Sequence, residues 1–368
     1  MQPERGQVRH STAYLDYNAT APMEPAAVDA MVAVARDWAN PSSIHAAGRR
    51  ARGLVETARD SIGRSLGCRA DSLVFTGGGT ESLGLALGGV ACASRLISAI
   101  EHDAVQSQAA GALMIPVDGN GLVDLAALTA MLAVAPAPAL VVVMHVNNET
   151  GVIQPIADIA RIVWAAGGKL LVDAVQSAGK LPLPDGDYLA VSAHKFGGPP
   201  GVGALIVRCN DGISAVQRGG GQERGLRGGT ENLPGIAGFA AALEARADHG
   251  WLDRVTILRD ALEARLGAEV FGRGAPRIGT TSSIHMPGVA ASTQLMALDL
   301  AGFAVSSGAA CSSGKVKDSH VLTAMGISSA VAGATIRVSL GWNTTEAEVR
   351  EFGDAWLALA ARLGRKAA

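Results

Sequence analysis

The chain has 368 residues, 48% of them hydrophobic and 17% charged, enough apolar material for a large core and for two domains. Thirty-one basic residues stand against thirty-three acidic ones, a formal net charge of -2 with no basic run or tail, so nothing in the charge favours nucleic acid or an anionic membrane surface. No apolar stretch reaches the ~18 uninterrupted residues of a membrane span, and the charged segment 1–11 lacks the apolar core of a signal peptide, so a cytoplasmic protein is expected.

In chain order, apolar runs predict strands over 72–76, 95–99, 113–117, 140–145, 169–173, 188–192 and 203–207, separated by helix-like stretches that begin near 80, 104, 123 and 155. This alternation predicts an α/β fold, with a large domain over 12–248 built on a mostly parallel seven-stranded sheet between helices. The run Leu140-Val141-Val142-Val143-Met144 is apolar without alternation, as in a strand covered on both faces. A helix near 233–247 leads into a smaller α+β domain over 249–368, on which residues 1–11 could pack. Strands near 282–285, 303–306 and 335–340 and helices near 293–300 and 346–363 are expected there. Cys68, Cys92, Cys209 and Cys311 lack metal-type spacing, so free thiols and no metal site are expected, with Cys68 and Cys92 as packing residues.

Ligands of such sheets gather at the C-terminal ends of strands. Asp173 ends one predicted strand, and Lys195 follows the end of the next, twenty-two residues later. An acid and an amine so placed suit pyridoxal phosphate, which a lysine holds as a Schiff base while a carboxylate keeps its ring nitrogen protonated. A helix-capping Asp and a solvated Lys would give the same pattern.

The turn Thr76-Gly77-Gly78-Gly79-Thr80 follows a strand and opens a helix, so it suits a phosphate, or else is a plain glycine turn with Thr80 as its N-cap. It is not a Walker loop, because no Gly-Lys-Ser/Thr follows. His102, after another strand end, could stack on a flat ring and move protons, or cap a helix at the surface. In His145-Val146-Asn147-Asn148-Glu149-Thr150-Gly151 one amide could bind a carboxylate or a phenolic oxygen, or both could serve a turn. The glycine-rich segment 222–232 reads as a mobile loop or as one that crosses to a partner subunit's phosphate. Cys311 sits among Ser, Gly and Ala residues, which leave a thiol accessible for nucleophilic work; a passive surface cysteine is the alternative. Arg337, inside the apolar run Thr335-Ile336-Arg337-Val338-Ser339-Leu340, needs an anion, either a ligand's carboxylate or a structural ion pair.

Together and in this order, these segments resemble the cysteine desulfurases, pyridoxal phosphate enzymes of the class V aminotransferase family with the fold type I architecture. The resemblance runs from Tyr14-Leu15-Asp16-Tyr17-Asn18-Ala19-Thr20 through Asn40-Pro41-Ser42-Ser43-Ile44-His45 to Ser339-Leu340-Gly341. It implies that Lys195 binds the cofactor covalently, Asp173 pairs with its ring nitrogen, His102 stacks on the ring and assists proton transfer, and Gln176 contacts the phenolic oxygen. Gly79, Thr80, Ser192 and His194 would hold the phosphate, with Thr230 supplied by the second subunit of an obligate homodimer. Arg337 and Asn148 would bind the carboxylate of L-cysteine, Asn148 also facing the cofactor. Cys311 would take the sulfur as a persulfide for an iron–sulfur scaffold or a thiolation acceptor, leaving L-alanine.

Two positions depart from the family pattern. Relatives often carry Gly-Ser-Ala before the phosphate-binding Thr, where this chain has Gly77-Gly78-Gly79, and Pro200 stands where many carry a basic residue. A selenocysteine lyase or an aminotransferase on the same scaffold is the alternative, although a plain aminotransferase has no use for Cys311. A non-catalytic sulfur carrier is a third class; Lys195, Asp173, His102, Arg337 and Cys311 together speak against it.

Overall fold

The computed structural model describes residues 13–209, 212–308 and 319–363. In chain order its strands are β1 (Ala13–Tyr14), β2 (Leu73–Thr76), β3 (Ser94–Ser98), β4 (Leu113–Ile115), β5 (Ala139–Met144), β6 (Lys169–Asp173), β7 (Tyr188–Ser192), β8 (Gly203–Val207), β9 (Thr281–His285), β10 (Phe303–Ala304) and β11 (Thr335–Ser339).

Seven of them form one sheet in the order β2-β8-β7-β6-β5-β3-β4. From β4 to β7 every neighbouring pair is parallel, whereas β8 runs antiparallel to both β7 and β2. The reversal follows from chain length, because the connection 193–202 is shorter than the crossover of about a dozen residues or more that parallel pairing needs. In β5 all six residues are buried, yet successive side chains still face opposite ways. Val141 and Val143 pack under the helices Ala46–Leu66, Ile156–Ala165 and Leu233–Ala245. Leu140 and Val142 pack on the other face with Leu83, Ala86 and Leu87 of the helix Gly79–Gly89. A strand buried from both sides needs apolar residues at every position, which is why the run shows no alternation.

A second core joins the antiparallel pair β9–β11 to the helices Gly250–Leu266, Ala291–Leu300 and Glu346–Leu363. Residues 13–16 belong with it: β1 pairs in parallel with β10, Ala13 and Leu15 enter this core, and Asp16 bridges to Ser339. The chain then crosses to the large sheet, where the Ala21 N–H donates to the carbonyl of His194 at 2.8 Å. This crossing brings residues 16–20 over the ends of β6 and β7.

Three expected elements are shorter than their hydropathy suggests by two residues or more, and one of them, the strand expected over 113–117, ends at Ile115. The helix expected from 104 is one turn, Asp103–Gln106, and the segment leaves helical geometry before Gly111, whose φ of 77° only glycine adopts freely. The strand expected over 303–306 is confined to Phe303–Ala304, with Ser306 joined to Arg337 by a single bridge. Among the described residues no helix is long and apolar enough to cross a membrane.

Candidate active site

A cavity of about 240 Å³ opens at the C-terminal ends of β5, β6 and β7, walled by the first turn of the helix Gly79–Gly89. Gly79, Thr80, His102, Asn148, Asp173, Gln176, Ser192, His194 and Lys195 line it, so the sequence-predicted cofactor residues of one chain, Thr230 excepted, meet in one place. A larger cavity of about 560 Å³ shares His102, Asn148, Gln176 and Lys195 with the first and adds Asp16, Asn18, Glu149, His320 and Arg337. Thr230 is exposed and borders a separate 50 Å³ space beside Thr76 and Gly77. Cys311 lies outside the described residues.

At the first cavity's polar end the helix Gly79–Gly89 has Gly78 as its N-cap, at φ 142° and with no side-chain cap among the described residues. Thr80 is therefore inside the helix and not its cap. Uncapped N–H groups at a helix N-terminus attract an anion, and the Thr80 and Ser192 hydroxyls lie in the same wall. A Cβ on Gly79 would meet Val175 Cγ2 at 2.6 Å. Any side chain at this position would collide with Val175, so the glycine here is a packing requirement. His194 Nδ1 lies 3.2 Å from Thr20 Oγ1, and burial, then Lys195 and Lys180, push its pKa down to about 4, so the ring is neutral at pH 7.

At the other end, Asp173 is buried and its Oδ1 accepts the Val175 N–H at 2.9 Å. Burial raises its pKa, opposed by that hydrogen bond, His102 and Lys195. Such a carboxylate is stabilised by a cation against it. Lys195 Nζ donates to the carbonyls of Asn18 at 2.7 Å and Ala19 at 2.9 Å. Burial and then Arg337 lower its pKa to about 8, with Asp173 and Asp16 pulling the other way. An amine that loses its proton near neutrality can act as a nucleophile or a base. His102 accepts the Ala104 N–H on Nδ1 at 3.0 Å, capping the short helix and leaving Nε2 to exchange protons. The donor set fits pyridoxal phosphate: acid, amine and imidazole at one end, hydroxyls and an uncapped helix terminus at the other.

The paired amides separate by role. Asn147 Oδ1 accepts the N–H groups of Glu149 and Thr150, each at 3.0 Å, and so builds the turn. Asn148 is the one that lines both cavities. Arg337 is buried, pairs with Asp16 at 2.7 Å through Nη2, and donates from Nη1 to the carbonyl of Asn148 at 3.2 Å.

Sequence reasoning missed several lining or supporting residues. The Asn18 carbonyl accepts both Lys195 Nζ and Gln176 Nε2, the latter at 2.9 Å. Lys180, also missed, is buried and donates to Gln176 Oε1 at 3.3 Å, which fixes the orientation of that amide. Burial first, then Lys195 and Arg337, lower its pKa to about 7. Gly179, just before it, has φ 71°, and a Cβ there would meet Phe196 at 2.9 Å, so the turn into Lys180 takes glycine; the signal was a lysine directly after a glycine.

Glu101, just before His102, is fully buried and accepts the Ser98 hydroxyl and the Met144 N–H on Oε1, while Oε2 has no partner among the described residues. Burial, with Asp173 adding to it, raises its pKa from 4.5 to about 8. Between those values the folded chain holds a proton that the unfolded chain has released, so stability falls with rising pH by ~1.4 kcal/mol per unit. Glu101→Gln removes this term. The variant should melt with the parent near pH 5 and well above it near pH 8; an offset that does not change with pH would contradict the assignment.

The class-V aminotransferase family matches residues 13–352 of the chain. A cysteine desulfurase of Cereibacter sphaeroides is 41% identical over 362 residues, covering 91% of this chain and 92% of that one. An IscS-like cysteine desulfurase of Mycobacterium tuberculosis is 38% identical over 367 residues, covering 92% and 93%. Among solved structures, a NifS-like protein from Rickettsia africae superposes with a TM-score of 0.88 at 33% identity, covering 96% of this chain and all of that one.

Proposed function

The chain belongs to the class-V aminotransferase family and is a cysteine desulfurase, and from that premise we propose how its own residues divide the work. The observation that carries the reading is the shared wall of two cavities: one holds Asp173 and Lys195, the other Arg337, and Lys195 and Asn148 line both.

Thr80, Ser192, His194 and the first N–H groups of the helix Gly79–Gly89 would hold the phosphate of pyridoxal phosphate. Asp173 would face its ring nitrogen, Gln176 its phenolic oxygen and His102 its face, with Lys195 attached covalently. When bound, the cofactor supplies an electron sink that weakens bonds at the substrate's α-carbon and, through it, the bond from Cβ to sulfur. Arg337 and Asn148 bind the carboxylate of L-cysteine. Lys195 Nζ moves protons at the substrate's carbon, and His102 Nε2 exchanges a proton with the substrate. The Cys311 thiolate attacks the substrate sulfur. An S–S bond forms as the Cβ–S bond breaks, and the bonding pair stays on carbon and takes up a proton, giving alanine and a Cys311 persulfide. An iron–sulfur scaffold or thiolation protein in a reducing cytoplasm would then accept the sulfur. Thr230 would complete the phosphate site of a second copy in a homodimer, which accounts for its distance from the cavity of its own chain.

Cys311→Ala tests the division between ring site and acceptor. The variant should keep the yellow colour of bound cofactor and release sulfide from cysteine plus reductant at least ~10²-fold more slowly. Sulfide release at the parent rate would remove Cys311 from the reaction.

A further inference from the structure

Lys180 is a buried amine that lines neither cavity. No carboxylate pairs with it among the described residues, where its Nζ makes one hydrogen bond, to Gln176 Oε1 at 3.3 Å. Stability does not account for such a residue. An unpaired lysine is among the costliest side chains to bury, and burial, with Lys195 and Arg337 nearby, lowers its pKa to about 7. Nor does the turn that carries it need the side chain. The Ala178 N–H donates to the Ala174 carbonyl at 2.8 Å, and the N–H groups of Lys180 and Leu181 donate to the Ser177 carbonyl at 3.0 and 2.8 Å.

The group that Nζ does meet is the amide assigned to the cofactor's phenolic oxygen. Gln176 is buried, lines both cavities, and gives one Nε2 hydrogen to the Asn18 carbonyl at 2.9 Å. An amide carries two N–H donors and one carbonyl oxygen. With the oxygen turned to Lys180, the second N–H is left for the cavity. A cation on the oxygen also polarises the amide, which makes that N–H a stronger donor. An N–H donated to a phenolic oxygen stabilises its anion, and a stabilised phenolate gives less support to a proton on the neighbouring Schiff-base nitrogen. We propose that Lys180 is a positioning residue, which acts through Gln176 to hold an N–H on the cofactor's phenolic oxygen and so lowers the proton affinity of the Schiff base at Lys195. A lower affinity widens the pH range in which the Schiff-base nitrogen is free to take the proton of the incoming amine. The inference rests on the assignment of Gln176 to the phenolic oxygen.

The test is a spectrophotometric pH titration of the holoenzyme, which follows the loss of yellow absorbance as the Schiff base gives up its proton. Lys180→Met removes the ammonium and keeps an unbranched apolar side chain. Its midpoint should lie about one pH unit above the parent's, a tenfold rise in proton affinity. Gln176→Met should raise the midpoint too. Adding Lys180→Met to it should change nothing further, because a residue that acts through the amide has nothing left to act on. A midpoint unmoved by Lys180→Met would overturn the proposal, and a role in the fold alone would give that result together with a lower melting temperature. An equal shift from Lys180→Met in the Gln176→Met background would also overturn it, by marking direct repulsion between Lys180 and the Schiff base. Should Lys180→Met fail to fold, Lys180→Leu carries the same comparison. If Gln176→Met leaves the midpoint in place, the assignment of Gln176 to the phenolic oxygen itself fails, whereas a shift there alongside an inert Lys180→Met sinks only the role of Lys180.

Discussion

Lys195→Ala should lower the rate of alanine formation from cysteine by at least ~10²–10⁴-fold, the range a single general acid–base group contributes. The loss should be larger still, because the same amine is the attachment point for the cofactor. After borohydride reduction and denaturation the parent should retain pyridoxal phosphate on the protein, and the variant should release it. The fold should persist. The Asn18 carbonyl that accepts Lys195 also accepts Gln176, so it is not orphaned, and the change removes a cation whose pKa burial has already depressed to about 8. A melting temperature near the parent's, together with lost turnover, separates chemistry from structure. A variant that still turned over at a tenth of the parent rate or more would exclude Lys195 from the reaction.

Arg337→Ala should raise KM for L-cysteine so that kcat/KM falls ~10²–10³-fold, as expected from losing two charge-assisted hydrogen bonds of ~1.5–2 kcal/mol each. Because those bonds exist in ground and transition states alike, most of the change should appear in KM and little in kcat. A second effect follows from Asp16, which loses its only salt-bridge partner among the described residues. Breaking a fully buried pair costs ~3–5 kcal/mol, and partial exposure of Asp16 puts the expected loss below that range. Arg337→Lys restores the charge but not the planar fork, so it should recover stability more than affinity. A normal KM in Arg337→Ala would move the carboxylate site elsewhere.

The fold and the site were legible in the sequence to different depths. β6, β7 and β8 can be read to the residue because each has an apolar interior, buried on both faces, that shows as a short uninterrupted run. The direction of β8 cannot be read that way: it depends on β7 and β8 being neighbours, which hydropathy does not encode. Asp173 and Lys195 were legible because strand ends collect ligands. Arg337 announced its need for an anion, a lone charge in an apolar strand, but its partner lies 321 positions away and no local pattern links the two. Asn18 acts through its backbone carbonyl toward Lys195 and Gln176, a role that side-chain identity does not reveal. Asn147 and Asn148 look equivalent in sequence and differ only once the turn is closed.

The most direct test of the central claim is to incubate the purified holoenzyme with L-cysteine, without reductant, and map added sulfur by peptide mass spectrometry. The account predicts one additional sulfur atom on the peptide containing Cys311, formed together with L-alanine and absent when the Lys195→Ala variant is treated in the same way. Alanine formed with no sulfur on Cys311, or sulfur carried instead by Cys68, Cys92 or Cys209, would contradict it.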